Sequence, residues 1–203
     1  MRTFTYGEKE IAHLKKKDKK LGLAIESIGP IQRAVNPDLF SSLIHSIVSQ
    51  QIATKAAATV WTRLQLACGE ITPAAIDGAE ALHIQQCGMS MRKTLYIKGV
   101  GEAVKQNELN IAELATLSDA EIIRRLSSLN GVGVWTAEML LIFSLERPDV
   151  VSWGDLAIRR GMMNLYGLDK LTREQFDRYR KRYSPYGSVA SLYLWALAVR
   201  KSE

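Results

Sequence analysis

The chain has 203 residues, 47% hydrophobic and 24% charged, a balance that fits a globular protein of one large or two small domains. No apolar run reaches the roughly 20 residues needed to cross a bilayer, and Met1 to Glu10 is polar and shows no sign of a signal peptide, so no membrane partner is expected. The net charge of +6 and pI near 9.3 favour a polyanionic partner, whereas two cysteines, Cys68 and Cys87, exclude a disulfide framework and a metal-ligand cluster and point to a reducing, cytoplasmic setting.

Residues 8–28 read as one helix, with Ile11, Leu14, Leu21, Ile25 and Ile28 at rough helical spacing and a basic run, Lys15–Lys16–Lys17 and Lys19–Lys20, on a solvated face. Gly29–Pro30 ends it. Asp38 caps a second helix whose buried stripe is Phe40, Leu43, Ile44, Ile47 and Val48. Ser49–Gln50–Gln51–Ile52–Ala53–Thr54 breaks that stripe with polar residues, and a helix follows from Lys55 to about Ala67. Thr72–Pro73 turns into a short helix, Gly88 closes the next, and Ser90 caps residues 91–105, whose Arg92, Lys93 and Lys98 form a basic face. Gly99–Val100–Gly101 is read as part of that helix. Ser118 and Glu121 form a capping box that opens a helix through Leu129. A further helix spans about Val134 to Leu145 and is broken by Pro148. Asp155 opens Leu156–Tyr166, ended by Gly167; Thr172 caps another helix, and the last runs from about Ser188 to Val199. No segment alternates with period two, so the fold class is all-α.

The chemistry concentrates between residues 129 and 155. Gly131–Val132–Gly133 joins two helices and makes a helix-hairpin-helix. Glycines without a Cβ let a DNA backbone approach, and the N–H groups and dipole at the start of the second helix, including those of Val134 and Thr136, seat a phosphate without reading sequence. Asp155 stands about twenty residues on, at another helix start.

This constellation resembles the helix-hairpin-helix DNA glycosylases, and within them the 3-methyladenine DNA glycosylase II type. The matching residues are Ser49–Gln50–Gln51, Gly131–Val132–Gly133–Val134–Trp135–Thr136–Ala137, and Asp149–Val150–Val151 running to Asp155. The resemblance implies a two-lobed helical fold, one lobe about 37–146 with the hairpin at 119–145, the other about 1–36 plus 147–203. It implies an enzyme that flips and excises alkylated purines from double-stranded DNA in base excision repair. Asp155 then stabilises positive charge on the deoxyribose and orients water. Trp135 stands where strand-cutting relatives carry a lysine, which implies hydrolysis without lyase chemistry. Trp135 and Tyr186 would present aromatic faces to a cationic base, worth about 0.5–2 kcal/mol, with Phe40 and His45 as further pocket residues. Gln51, or failing it Gln50, would fill the stack after flipping. The chain lacks the four-cysteine iron–sulfur cluster of endonuclease III relatives, and no cofactor is expected beyond a monovalent cation on the main-chain carbonyls of Ser127, Leu129 and Val132. A monomer, nucleoid-associated in a bacterial or archaeal source, is expected. The alternatives are a glycosylase for uracil or mismatched bases, and a non-catalytic DNA-binding module.

Overall fold

A computed structural model describes residues 2–199. Among them are thirteen helices and, outside the helices, one isolated antiparallel bridge between Thr3 and Ala34. None of these helices is long and apolar enough to cross a membrane. The chain divides into two compact units, Met1–Val35 with Leu141–Glu203, and Asn36–Leu140.

The first unit holds α1 (Glu8–Lys17), α2 (Lys19–Ile28), α11 (Leu156–Tyr166), α12 (Arg173–Tyr183) and α13 (Gly187–Val199). The single helix expected over 8–28 is two helices, because Asp18 leaves the helical conformation. Asp18 caps α2 by accepting from Leu21 N–H at 3.0 Å, and it also receives the Tyr166 hydroxyl at 2.6 Å and Arg182 at 3.1 Å. Those partners satisfy a carboxylate that is only 3% exposed. The helices α11 and α13 pack closely at Gly161, where a Cβ would lie 1.9 Å from the Leu194 carbonyl oxygen.

The second unit holds α3 (Leu39–Ser49), α4 (Thr54–Cys68), α5 (Pro73–Gly78), α6 (Ala81–Gln86), α7 (Met91–Lys105), α8 (Ile111–Leu114) and α9 (Asp119–Ser127). The unit boundary falls within α10 (Val134–Phe143). Asp38 and Ser90 cap α3 and α7 as expected, and Gly99–Val100–Gly101 is helical. Gly101 faces Ile76 of α5, where a Cβ would stand 3.0 Å from a methyl group. Three features differ from those expected of the sequence. Ser118 caps α9, yet the Glu121 carboxylate turns to Arg124 and Arg125 instead of closing a box, and α9 stops at Ser127 rather than Leu129. The lysines of the supposed basic face of α7 point inward: Lys98 donates to the carbonyls of Ile76, Asp77 and Ala79, capping the C-terminus of α5.

Candidate active site

The hairpin turn lies between α9 and α10. Val132 N–H donates to the Leu129 carbonyl at 3.1 Å, and Gly131 takes a left-handed φ of 83°. A Cβ on Gly131 would lie 2.2 Å from Cδ2 of Tyr96, so this glycine makes room for a tyrosine ring rather than for DNA. Gly133 differs, since nothing lies within 4 Å of its notional Cβ. The open backbone approach expected of both glycines therefore belongs to Gly133 alone. Gly133 and Val134 head the N-terminus of α10, where backbone N–H groups lack intrahelical partners and attract anions. Val134 is exposed, whereas Thr136 is 4% exposed, which leaves its main-chain N–H rather than its hydroxyl for a phosphate.

The polar break after α3 is tied to the hairpin. Gln50 donates its side-chain amide to the Gly131 carbonyl at 2.8 Å, and Lys93 donates to the carbonyls of Val48 and Gln50 at 2.8 and 2.5 Å. Burial lowers the pKa of the Lys93 ammonium. Gln50 is thus engaged in holding the turn and is corrected from a stack-filling candidate to a clamp. Gln51, exposed and at a φ of 54°, is the glutamine presented outward.

Gln50 and Gln51 border a cavity of about 400 Å³ lined also by His45, Ser46, Ser49, Trp135, Thr136 and Met139. Trp135 is 46% exposed there. His45 meets Trp61 edge-on at 4.8 Å, and burial lowers its pKa, which keeps the ring neutral at neutral pH. The hydroxyls of Ser46 and Ser49 are turned back onto α3, donating to Ser42 and His45 carbonyls at 2.8 Å each. What remains facing the cavity is the polarisable surface of Trp135 and Met139, with Gln51 as the exposed amide at its border. Phe40 is not part of it: at 4% exposed it fills the buried stripe of α3 and is corrected to a core residue.

Asp155 lies in the other unit, 7% exposed, at the N-cap of α11, where it accepts from Ile158 N–H at 2.8 Å. The segment leading to it is pinned to the start of α13. Ser188 receives Val150 N–H at 3.0 Å and donates to the Arg147 carbonyl, Ser191 donates to the Val150 carbonyl at 2.9 Å, and Asp149 accepts from Gly187 N–H and the Ser184 hydroxyl. Tyr186, half-buried in the same unit, packs edge-on against His13 at 5.1 Å, and His13 hydrogen-bonds the Ser184 carbonyl at 2.9 Å. Trp153 rests on Phe176, with Arg159 and Arg173 over its ring, a packed arrangement.

Residues 44–185 match the model of the HhH-GPD superfamily base excision DNA repair protein. The chain belongs to the HhH-GPD superfamily. Its relatives include DNA-3-methyladenine glycosylase 1 of Schizosaccharomyces pombe, 32% identical over 95% of this chain and 87% of that protein. Among solved structures, a DNA-3-methyladenine glycosidase from Bacillus halodurans is 36% identical with a TM-score of 0.88, covering 98% of this chain and 93% of that one. A 3-methyladenine DNA glycosylase of S. pombe in complex with abasic DNA is 31% identical with a TM-score of 0.76, covering 93% and 95% of the two chains.

Within this HhH-GPD chain, sequence reasoning missed Tyr96, Lys93, Ser188 and Ser191. Lys93 reaches its partners across 43 and 45 positions, and Ser188 and Ser191 reach Val150 across 38 and 41. No local spacing announces such contacts.

Proposed function

We propose that this protein is a monofunctional DNA glycosylase that flips a cationic alkylated purine, of the 3-methyladenine or 7-methylguanine type, out of duplex DNA and leaves an abasic site. The C1′–N bond breaks with its electron pair departing on the base. The Asp155 carboxylate stabilises the positive charge left on the sugar and orients the water that adds to C1′. A base that already carries positive charge is a good leaving group, so binding it against an aromatic wall suffices without a strong general acid. Gln51 fills the vacated stack, while Gly133 and the start of α10 hold a phosphate.

The observation that carries this reading is the cavity beside Trp135. Its serine hydroxyls donate back onto α3, one N–H of the Gln50 amide is taken by the Gly131 carbonyl, and burial favours the neutral form of His45. A neutral lesion such as uracil is held chiefly by hydrogen-bond donors; with both serine hydroxyls committed to α3, the half-exposed Trp135 face favours a cationic base over the uracil or mismatch alternative. Trp135 in place of a lysine supports hydrolysis alone. A monovalent cation on the carbonyls of Ser127, Leu129 and Val132 fits one further feature, the buried Ser127 hydroxyl, which has no hydrogen-bond partner among the described residues. Incubation with methylated and with uracil-containing duplexes, followed by identification of released bases, tests the substrate. Release of methylated purines is expected; release of uracil instead, or a borohydride-trapped covalent adduct, contradicts the reading.

A further inference from the structure

Asp155 caps one end of α11 and Tyr166 closes the other, an 11-residue helix that is about 16 Å long at 1.5 Å per residue. At the Tyr166 end three elements converge. The Tyr166 ring stacks on Tyr179 at 3.7 Å, Arg178 and Arg182 lie over Tyr179 at 5.4 and 5.1 Å, and Lys20 donates to the Tyr166 carbonyl at 3.2 Å. The one carboxylate at the centre, Asp18, is buried and consumed by Leu21, Tyr166 and Arg182. What faces outward is positive. Lys16, Lys17 and Lys19 are exposed beside the α1–α2 break, and none of the described residues pairs with them. Lys20, Arg178 and Arg182 are exposed next to them, and Lys170 offsets Asp169 in the loop beyond Gly167.

The break at Asp18 explains why this charge is concentrated. A continuous helix over 8–28 would spread the lysines around its circumference. The kink, held by Arg182 and Tyr166, instead ties the junction that carries Lys17 and Lys19 to the last turn of α12, which holds Arg180, Lys181 and Arg182. Lys16, Lys17 and Lys19 have no counter-ion among the described residues, and like charges so gathered raise the local potential that attracts a polyanion. The chemistry at Asp155, a helix length away, makes no use of them.

We propose that this patch is a second duplex-DNA surface, which holds an undamaged segment by its phosphates while the Asp155 end of the unit engages another. It rests on the glycosylase reading only for what occupies the Asp155 site. Bound to both, the protein passes from one segment to the next without release into solution. The test uses the whole chain saturated with an abasic-site duplex, to which a fluorescent undamaged 12-base-pair duplex is added and followed by anisotropy. Wild type should bind one labelled duplex per complex, and K16E/K17E/K19E should bind none. The K16Q/K17Q/K19Q variant should bind it with a log–log salt slope lower by about 2.7, at about 0.9 per lost phosphate contact. Both variants should keep wild-type thermal melting and single-turnover excision. Absence of the second duplex from wild type, or equal binding by the charge-reversed variant, overturns the proposal. Base release from a methylated duplex, measured on the same samples, separates the two readings: loss of release with second-duplex binding intact refutes the glycosylase and leaves the patch standing.

Discussion

Replacing Gly131 by alanine tests the hairpin's internal logic. The substitution imposes two penalties that the geometry separates. The first is conformational: an L-residue at a φ of 83° costs about 1–2 kcal/mol. The second is steric: the new methyl would sit 2.2 Å from Cδ2 and 2.6 Å from Cγ of Tyr96, within a ring that must move, and overpacking of this kind costs about 1–3 kcal/mol. Together they predict a loss of about 2–5 kcal/mol, read as a shift of the denaturant midpoint at constant m. Gly133→Ala is the control, because it has open space and no positive φ; it should be neutral or stabilising by about 0.4–1 kcal/mol while weakening DNA binding if a phosphate approaches there. Adding Tyr96→Ala to Gly131→Ala should relieve the steric part only, so the double variant is less destabilised than the sum of the two single ones. Equal stability of the two glycine variants, or strict additivity with Tyr96→Ala, refutes the reasoning.

Lys93→Met leaves the Val48 and Gln50 carbonyls unpaired, at a cost of about 1–3 kcal/mol, and should lower single-turnover excision more than ground-state duplex binding, with partial recovery in Lys93→Arg. Asp18→Ala removes an N-cap, while Tyr166 keeps the Tyr183 hydroxyl and the exposed Arg182 is solvated; a loss of about 1–2 kcal/mol is expected in denaturant melts. His45 has a folded pKa below its ordinary value of about 6.5, so the unfolded chain binds the proton more readily; stability is fully present above that value and falls as pH drops from it towards the folded pKa. Denaturant stability at pH 7.5 and 5.5 should therefore differ less in His45→Phe than in wild type.

Legibility in the sequence followed the range of the interactions. Caps at Asp38, Ser90, Asp155 and Thr172, and the stop at Gly167, are local: each cap bonds a backbone group three residues on, so residue type and spacing reveal them. Asp18 shows the opposite case. Helical periodicity runs through it, and the break is decided by Tyr166 and Arg182, 148 and 164 positions away. The same applies to Gln50. Its place in the polar break made it a partner for DNA, and only the fold reveals that Gly131, 81 positions on, already takes its amide. Phe40 was ambiguous for another reason, since an aromatic at helical spacing looks alike whether it lines a pocket or fills a core.

The most direct test of the central claim is Asp155→Asn assayed on methylated duplex DNA, with binding and base release measured on the same preparation. The amide can still accept from Ile158 N–H, so the cap and the fold are retained. The account predicts unchanged binding and thermal melting with excision reduced by orders of magnitude. Wild-type release of methylated purines by this variant would contradict it.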